Sequence, residues 1–257
     1  MRALPQCEAG PVESAIRRYN RCPVCGRFNL TSPKDIEARF GFMDWHERRI
    51  EPRFNIAPTQ EILTIVLGPE GERQVQLATW GLVPFWAEPG KKLPLMINAR
   101  VESLMAKQMF RDALERKRCL VPASGFFEWV RADKQPRPFY FHPPGQRLIA
   151  FAGLWARSRD ARGDELHSFT IITTRANPLV KPIHDRMPIV LPPDDHAAWL
   201  SPDLDADTAR ALLGHPAGDD WLRDAVSTWV NKADHDDPRC IAPETAPDAS
   251  RQQRLFD

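Results

Sequence analysis

This sequence has no apolar run approaching the roughly 20 residues that a helix needs to cross a bilayer. Its first ten residues, MRALPQCEAG, lack the apolar core of a secretion signal. Both absences argue against a membrane span and an export route, and a cytoplasmic protein is the expectation. Cysteine is scarce: five residues, at 7, 22, 25, 119 and 240, form an odd and scattered set that makes no disulfide framework. Cys22 and Cys25 stand at C-x-x-C spacing, but no second such pair and no histidines at ligand spacing complete a zinc site. No metal and no cofactor is expected. The formal net charge is only +1, from 35 Lys and Arg against 34 Asp and Glu, so the overall balance carries no mark of a nucleic-acid binder. No fixed repeat occurs.

What is present is a globular composition. At 257 residues and 42% hydrophobic, the chain fills one sizeable core. Its charge is unevenly spread. Asn98 to Tyr140 holds nine Lys or Arg against five Asp or Glu, whereas Pro193 to Asp220 holds seven Asp against Arg210 alone; taken singly, each reads as a solvated surface. Ser32-Pro33-Lys34-Asp35 offers an N-cap, a proline at the first helical position and an acid in the first turn, so a short helix is predicted from Pro33 to Phe40, stopped by Gly41.

Strand signals dominate the middle. EILTIVLGPEGERQVQLATWGLV, from Glu61, reads as two β-rich runs around a Gly-Pro-Glu-Gly turn, and RLIAFAGLWA with HSFTIITTRA as a second pair around a polar loop. Helical pieces follow at DDHAAWL and DADTARALLG. Regular β-α alternation is absent. The expected class is therefore α+β: a single domain with a curved antiparallel sheet or β-barrel character and flanking short helices.

Polar residues recur where strands and turns meet. WGLVPFWA, residues 80 to 87, sets two tryptophans about a proline turn. NARVES carries Asn98 and Arg100 on one face of an extended segment. SGFFEW places Glu128 after two phenylalanines, and KPIHDRMP places His184 between two prolines. Singly, each has an ordinary reading as a paired acid, a structural histidine or a core tryptophan.

Together, CGRF at 25–28, RFNIAP at 53–58, WGLVPFWA at 80–87, INARVES at 97–103, RCLVPASGFFEW at 118–129 and TIITTRAN…IHDRMP across 170–188 resemble the ordered motif series of the SRAP family. These are the SOS-response-associated peptidases, also called abasic-site processing proteins. The resemblance runs from Cys25 to about Pro243. It implies a single α+β domain with β-barrel character and a positively charged groove for single-stranded DNA. It also implies that Cys25 is the nucleophile, that Glu128 is an acid/base, that His184 handles protons, and that Asn98 and Arg100 hold the cysteine end and the lesion's phosphates. Arg27 is a further phosphate contact, and Trp80, Pro84 and Trp86 wedge or stack bases. The implied partner is single-stranded DNA containing abasic sites, met by a monomer that is nucleoid-associated when bound.

In such a mechanism the terminal amine matters. An α-amine has a pKa of about 7.7 to 8.0 against about 10.4 for lysine, so far more of it is neutral near pH 7. It can form a Schiff base with the aldehyde of an opened abasic sugar, and the neighbouring thiol can close onto the imine carbon as a thiazolidine. With residues 1–24 attached, the nitrogen of Cys25 is an unreactive amide. The expectation is that 1–24 is a leader absent from the working protein, through a mis-assigned start at Val24 or through cleavage. The domain then spans 25–243, with lyase and self-processing peptidase activities accompanying the crosslink.

The tail, 244–257, reads as flexible, and Gln252 to Phe256, QQRLF, resembles the bacterial sliding-clamp peptide. Two other readings stay open: an N-terminal-nucleophile glutaminase, whose members also begin Cys-Gly, and a non-enzymatic zinc or redox module built on Cys22 and Cys25.

Overall fold

The β-branched and aromatic runs predicted as strands pair as strands, and the computed structural model describes residues 26–41, 50–91, 94–131, 135–214 and 220–244. In chain order the strands are β1 (Arg27–Leu30), β2 (Arg53–Ile56), β3 (Glu61–Leu67), β4 (Arg73–Trp80), β5 (Asn98–Arg100), β6 (Arg118–Ala123) and β7 (Gly125–Val130). They continue as β8 (Arg137–His142), β9 (Ile149–Arg159), β10 (Glu165–Arg175), β11 (Arg186–Pro188), β12 (Val190–Leu191) and β13 (Leu222–Ala225). The helices are α1 (Ile36–Phe40), α2 (Gln108–Arg116), α3 (His196–Leu200) and α4 (Ala206–Leu212), with short 3-10 turns between elements.

Five strands, β10-β4-β3-β6-β9, close on themselves because β9 pairs again with β10. Closure removes the exposed edges that such apolar strands would otherwise offer. Both predicted hairpins are present: β3–β4 in register from Glu61↔Thr79 to Leu67↔Arg73, and β9–β10 from Arg159↔Glu165 to Gly153↔Ile171. The pairing is antiparallel as expected except at β10, to which β4 and β5 both run parallel. A ring with an odd number of strands cannot alternate direction all the way round, so closing five strands forces one parallel seam. The β4–β10 ladder is that seam.

A second, wholly antiparallel sheet, β13-β8-β7-β1-β2, packs against the barrel. Its Phe28 ring lies 5.1 Å from Trp80 of β4 and 5.7 Å from Phe151 of β9, all three fully buried. The helices cover the outside; α2 buries Phe110, Ala113 and Leu114. The predicted first helix begins as a 3-10 turn at Pro33–Asp35, continues as α1 and ends at Gly41, whose φ of +62° is the left-handed stop that glycine makes easily. Ser32 occupies the cap position, but its side chain accepts no capping hydrogen bond. Asp205 does cap α4, accepting from the Thr208 N–H at 2.8 Å. No helix among the described residues is long and apolar enough to cross a membrane.

Candidate functional site

Cys25 lies outside the described residues, as do the 1–24 segment and Gln252–Phe256. The strand that follows Cys25 is well defined. In the β1–β7 ladder Arg27 pairs with Phe127 and Phe28 with Phe126. Carried one residue further, that register sets Gly26, the neighbour of Cys25, opposite Glu128. Glu128 is only 3% exposed, on a strand whose other neighbour is β8 through Glu128↔Phe139.

Arg27 requires a correction. Its side chain is no surface phosphate contact: the residue is 6% exposed, and Nη1 donates to Asn55 Oδ1 at 2.9 Å and to the Val230 carbonyl at 3.0 Å. Loss of water around the guanidinium pulls its pKa down to about 10. Asn55, fully buried, has its Nδ2 within bonding distance of the Val230, Lys232 and His235 carbonyls. The Asp236 carboxylate accepts from the Phe54 and Asn55 backbone N–H groups and from Arg53 Nε. The loop after β13 therefore clamps β2, and through Asn55 it fixes Arg27 beneath the start of β1.

A second group gathers at the C-terminal end of β10. In register, Asn98 pairs with Ile171, Arg100 with Thr173, and Arg186 of β11 with Arg175. Alternation along β10 puts Asn98, Arg100 and Arg186 on one face. Arg100 is exposed. Arg186 reaches across β10 and binds Glu102 through two parallel bonds, Nη1–Oε1 at 3.0 Å and Nη2–Oε2 at 2.8 Å, while Nη2 also donates to the Thr173 carbonyl at 2.8 Å. This pair holds the Glu102 carboxyl below its ordinary pKa, chiefly by hydrogen bonding from Arg186. His184, two residues before, accepts the Arg186 backbone N–H on Nδ1 at 3.0 Å. Asp185 Oδ1 lies 3.1 Å from the same nitrogen, a contact that would need the proton there instead. The peptide plane fixes the direction of the N–H, so a neutral ring that accepts it on Nδ1 carries its proton on Nε2.

Trp80 joins the two groups and also corrects an expectation. Its indole is 0% exposed, packs edge-on to Phe28 and stacks 6.3 Å from Phe169, so neither face is left for a base. Its Nε1–H donates to the Ile97 carbonyl at 2.9 Å. One side chain thus ties β1 to the residue immediately before Asn98. The loop after Trp80 is anchored by Gly81, whose N–H meets Phe169 O at 2.8 Å. With φ at +134° and a Cβ that would fall 2.2 Å from Leu95, only glycine fits there. Pro84 is buried as the hinge of the turn, and the tip displays Phe85, 69% exposed, and Trp86, 59% exposed. Of the three expected base contacts, Trp86 is the one whose ring is open to solvent.

Sequence reasoning did not single out Phe85, Glu102, Arg186, Asn55 or Asp236 as site residues. Phe85, Glu102, Arg186 and Asn55 sit inside motifs already quoted; Asp236 does not, and its bond to Asn55 joins residues about 180 apart. Among the described residues no group of three or more His, Cys, Asp or Glu side chains could hold a metal ion.

Comparison with known proteins is consistent along the whole fold. A curated relative, abasic site processing protein YoqW of Bacillus subtilis, is 39% identical over 222 residues, covering 85% of this chain and 99% of that protein. Abasic site processing protein YedK of Escherichia coli is 30% identical over 197 residues, covering 74% of this chain and 85% of its own length. A crystal structure of a protein from Bacteroides thetaiotaomicron superposes with a TM-score of 0.74 at 24% identity, over 86% of this chain and all of that one, and shares the fold. The family model for SOS response associated peptidase (SRAP) matches residues 24–233, and the chain belongs to that family.

Proposed function

We propose that this protein processes abasic sites in single-stranded DNA by covalent capture on Cys25. The observation that carries the reading is the β1–β7 register, which sets the residue following Cys25 against the buried Glu128, in a family whose curated relatives are named abasic site processing proteins. The free α-amine of Cys25 adds to the aldehyde carbon of the opened sugar. Loss of water gives the imine, and addition of the thiol sulfur to the imine carbon, with a proton passing to nitrogen, closes a thiazolidine. The net change is one water released.

Glu128, shielded from solvent, donates and recovers the proton as the sugar opens and water leaves. His184 supplies a second proton path through Nε2. Asn98 orients the cysteine end, and Arg100, exposed on the same face, takes phosphate. Phe85 and Trp86 offer the stacking surface for unpaired bases. The Lys- and Arg-rich stretch from Asn98 to Tyr140 adds a sequence-independent attraction to the strand. Strand cleavage from the imine and self-processing at the Val24–Cys25 bond belong to the same proposal, because either uses the groups around Cys25. The clamp-like Gln252–Phe256 peptide would bring the domain to replicating DNA; loss of clamp pull-down on deleting 252–257 tests it.

The decisive assay mixes the protein with single-stranded DNA bearing one abasic site and resolves the products under denaturing conditions. A crosslink with wild type and none with Cys25→Ala supports the reading; a crosslink of undiminished yield with Cys25→Ala overturns it.

A further inference from the structure

Beyond the Cys25 and Arg100 groups, an open cleft of about 520 Å³ lies between the end of β10 and the last turn of α4. Val101, Thr174, Arg175, Asn177, Pro178, Arg210, Leu213 and Gly214 line it, with no carboxylate among them. Its polar groups are donors with capacity to spare. Arg175 is exposed and makes no direct salt bridge among the described residues, although the Glu102 carboxylate, already bound to Arg186, lies close enough to feel its charge. Among the described residues Arg210 has a single ion-pair partner, Asp207 at 4.0 Å, and both side chains are mostly exposed. Asn177 commits Oδ1 to the Val180 N–H at 3.0 Å, which fixes the amide and leaves Nδ2 as its donor. Two guanidinium groups, an amide NH₂ and the Thr174 hydroxyl suit a phosphate, and Val101, Pro178 and Leu213 suit the sugar or base attached to it. Arg210 is also the lone Lys or Arg between Pro193 and Asp220, so its place on the cleft is not part of a general basic surface.

We infer that this cleft is a second phosphate-binding site, and that it takes a nucleotide of the DNA strand flanking the lesion. Position along β10 favours a strand over a free anion. Thr173 is level with Arg100, and Arg175 stands two residues on, about 6.6 Å along the strand. That is the scale of one phosphate-to-phosphate step in an extended single strand. Val101, on the cleft wall, directly follows Arg100. A strand held by Arg100 therefore reaches Arg175 one nucleotide later.

The choice of strand rests on the DNA reading above, so the test uses undamaged single-stranded DNA, whose binding does not depend on Cys25 chemistry. Arg175→Gln, Arg210→Gln and the double variant are compared with wild type and with Arg162→Gln, an exposed arginine in the β9–β10 turn, across a salt series. Each lost phosphate contact should lower the slope of log K against log salt by about 0.7, giving roughly 1.4 for the double variant if both arginines meet separate phosphates and about 0.7 if they share one. Arg162→Gln should leave the slope unchanged. An unchanged slope in the double variant, or an equal fall with Arg162→Gln, overturns the inference. Inorganic phosphate raising the melting temperature of wild type but not of the double variant, with DNA binding unaltered, would assign the cleft to a free phosphate compound and overturn the strand assignment. Abasic crosslinking is read separately. If wild type bound undamaged DNA through the two arginines but formed no crosslink, the capture reading would fail while the cleft stood.

Discussion

Trp80 and Trp86 lie six residues apart in one motif, and the structure predicts opposite consequences for replacing them. Trp80→Phe keeps a ring against Phe28 but removes the Nε1 donor and part of the indole volume. The buried Ile97 carbonyl loses its partner, a cost of about 1–3 kcal/mol, and the space left by the missing atoms adds roughly 1 kcal/mol. A total near 3 kcal/mol corresponds to a fall in melting temperature of roughly 6–12 °C for a chain of this size. Trp86, 59% exposed, contributes almost nothing to stability, so Trp86→Ala should leave the melting temperature within about 1–2 °C of wild type. Its loss should instead weaken undamaged single-stranded DNA by about 1–3 kcal/mol, roughly 5- to 150-fold in Kd. Thermal unfolding and fluorescence anisotropy, run on both variants and the double variant at a temperature where all are folded, separate the two effects, which should add. The reasoning is refuted if Trp86→Ala destabilises the fold as much as Trp80→Phe, or if folded Trp80→Phe alone loses the DNA affinity.

Glu102→Gln should cost about 1 kcal/mol near pH 7, a modest figure because the carboxylate is nearly half exposed. The folded-state pKa of Glu102 is lowered, so its contribution is complete above the ordinary glutamate value and disappears as pH falls through the lowered one. Denaturant midpoints of wild type and Glu102→Gln should differ above about pH 5 and converge only as the pH falls through the lowered value. Arg100→Ala should weaken binding of abasic DNA and lower its salt slope by about 0.7, with a smaller effect on the rate of covalent capture once DNA is bound, as single-turnover kinetics would show. Asp236→Ala strands two backbone N–H groups and removes the ion-pair partner of Arg53, which keeps its bond to Gln60; a loss of about 2–4 kcal/mol by urea unfolding is expected.

The parts of the fold legible in the sequence were those with local signals. The Gly68–Gly71 turn between β3 and β4, the Gly41 stop and the α3 and α4 pieces follow from turn chemistry and short-range pattern. The parallel seam does not, because it joins Trp80 to Phe169 and arises from the odd strand count rather than from either strand's own residues. The same distinction applies at the site. Alternation correctly placed Asn98 and Arg100 on one face, but it could not tell that Trp80 faces the core and Trp86 the solvent. Arg27 reads as a phosphate ligand until Asn55 and Val230, the latter 203 residues away, are seen to enclose it. Burial is set by tertiary partners that a local motif does not contain.

The central claim is that the amine and thiol of Cys25 together capture the lesion, which demands that the bond between Val24 and Cys25 be absent. Intact-mass analysis of protein expressed from the native gene, before and after reaction with a single-abasic-site oligonucleotide, tests both halves at once. The account predicts a chain whose mass begins at Cys25 and an adduct heavier by the oligonucleotide less one water, stable without a reducing agent. A chain retaining Met1 that still forms the adduct, or a chain beginning at Cys25 that forms none, would contradict it.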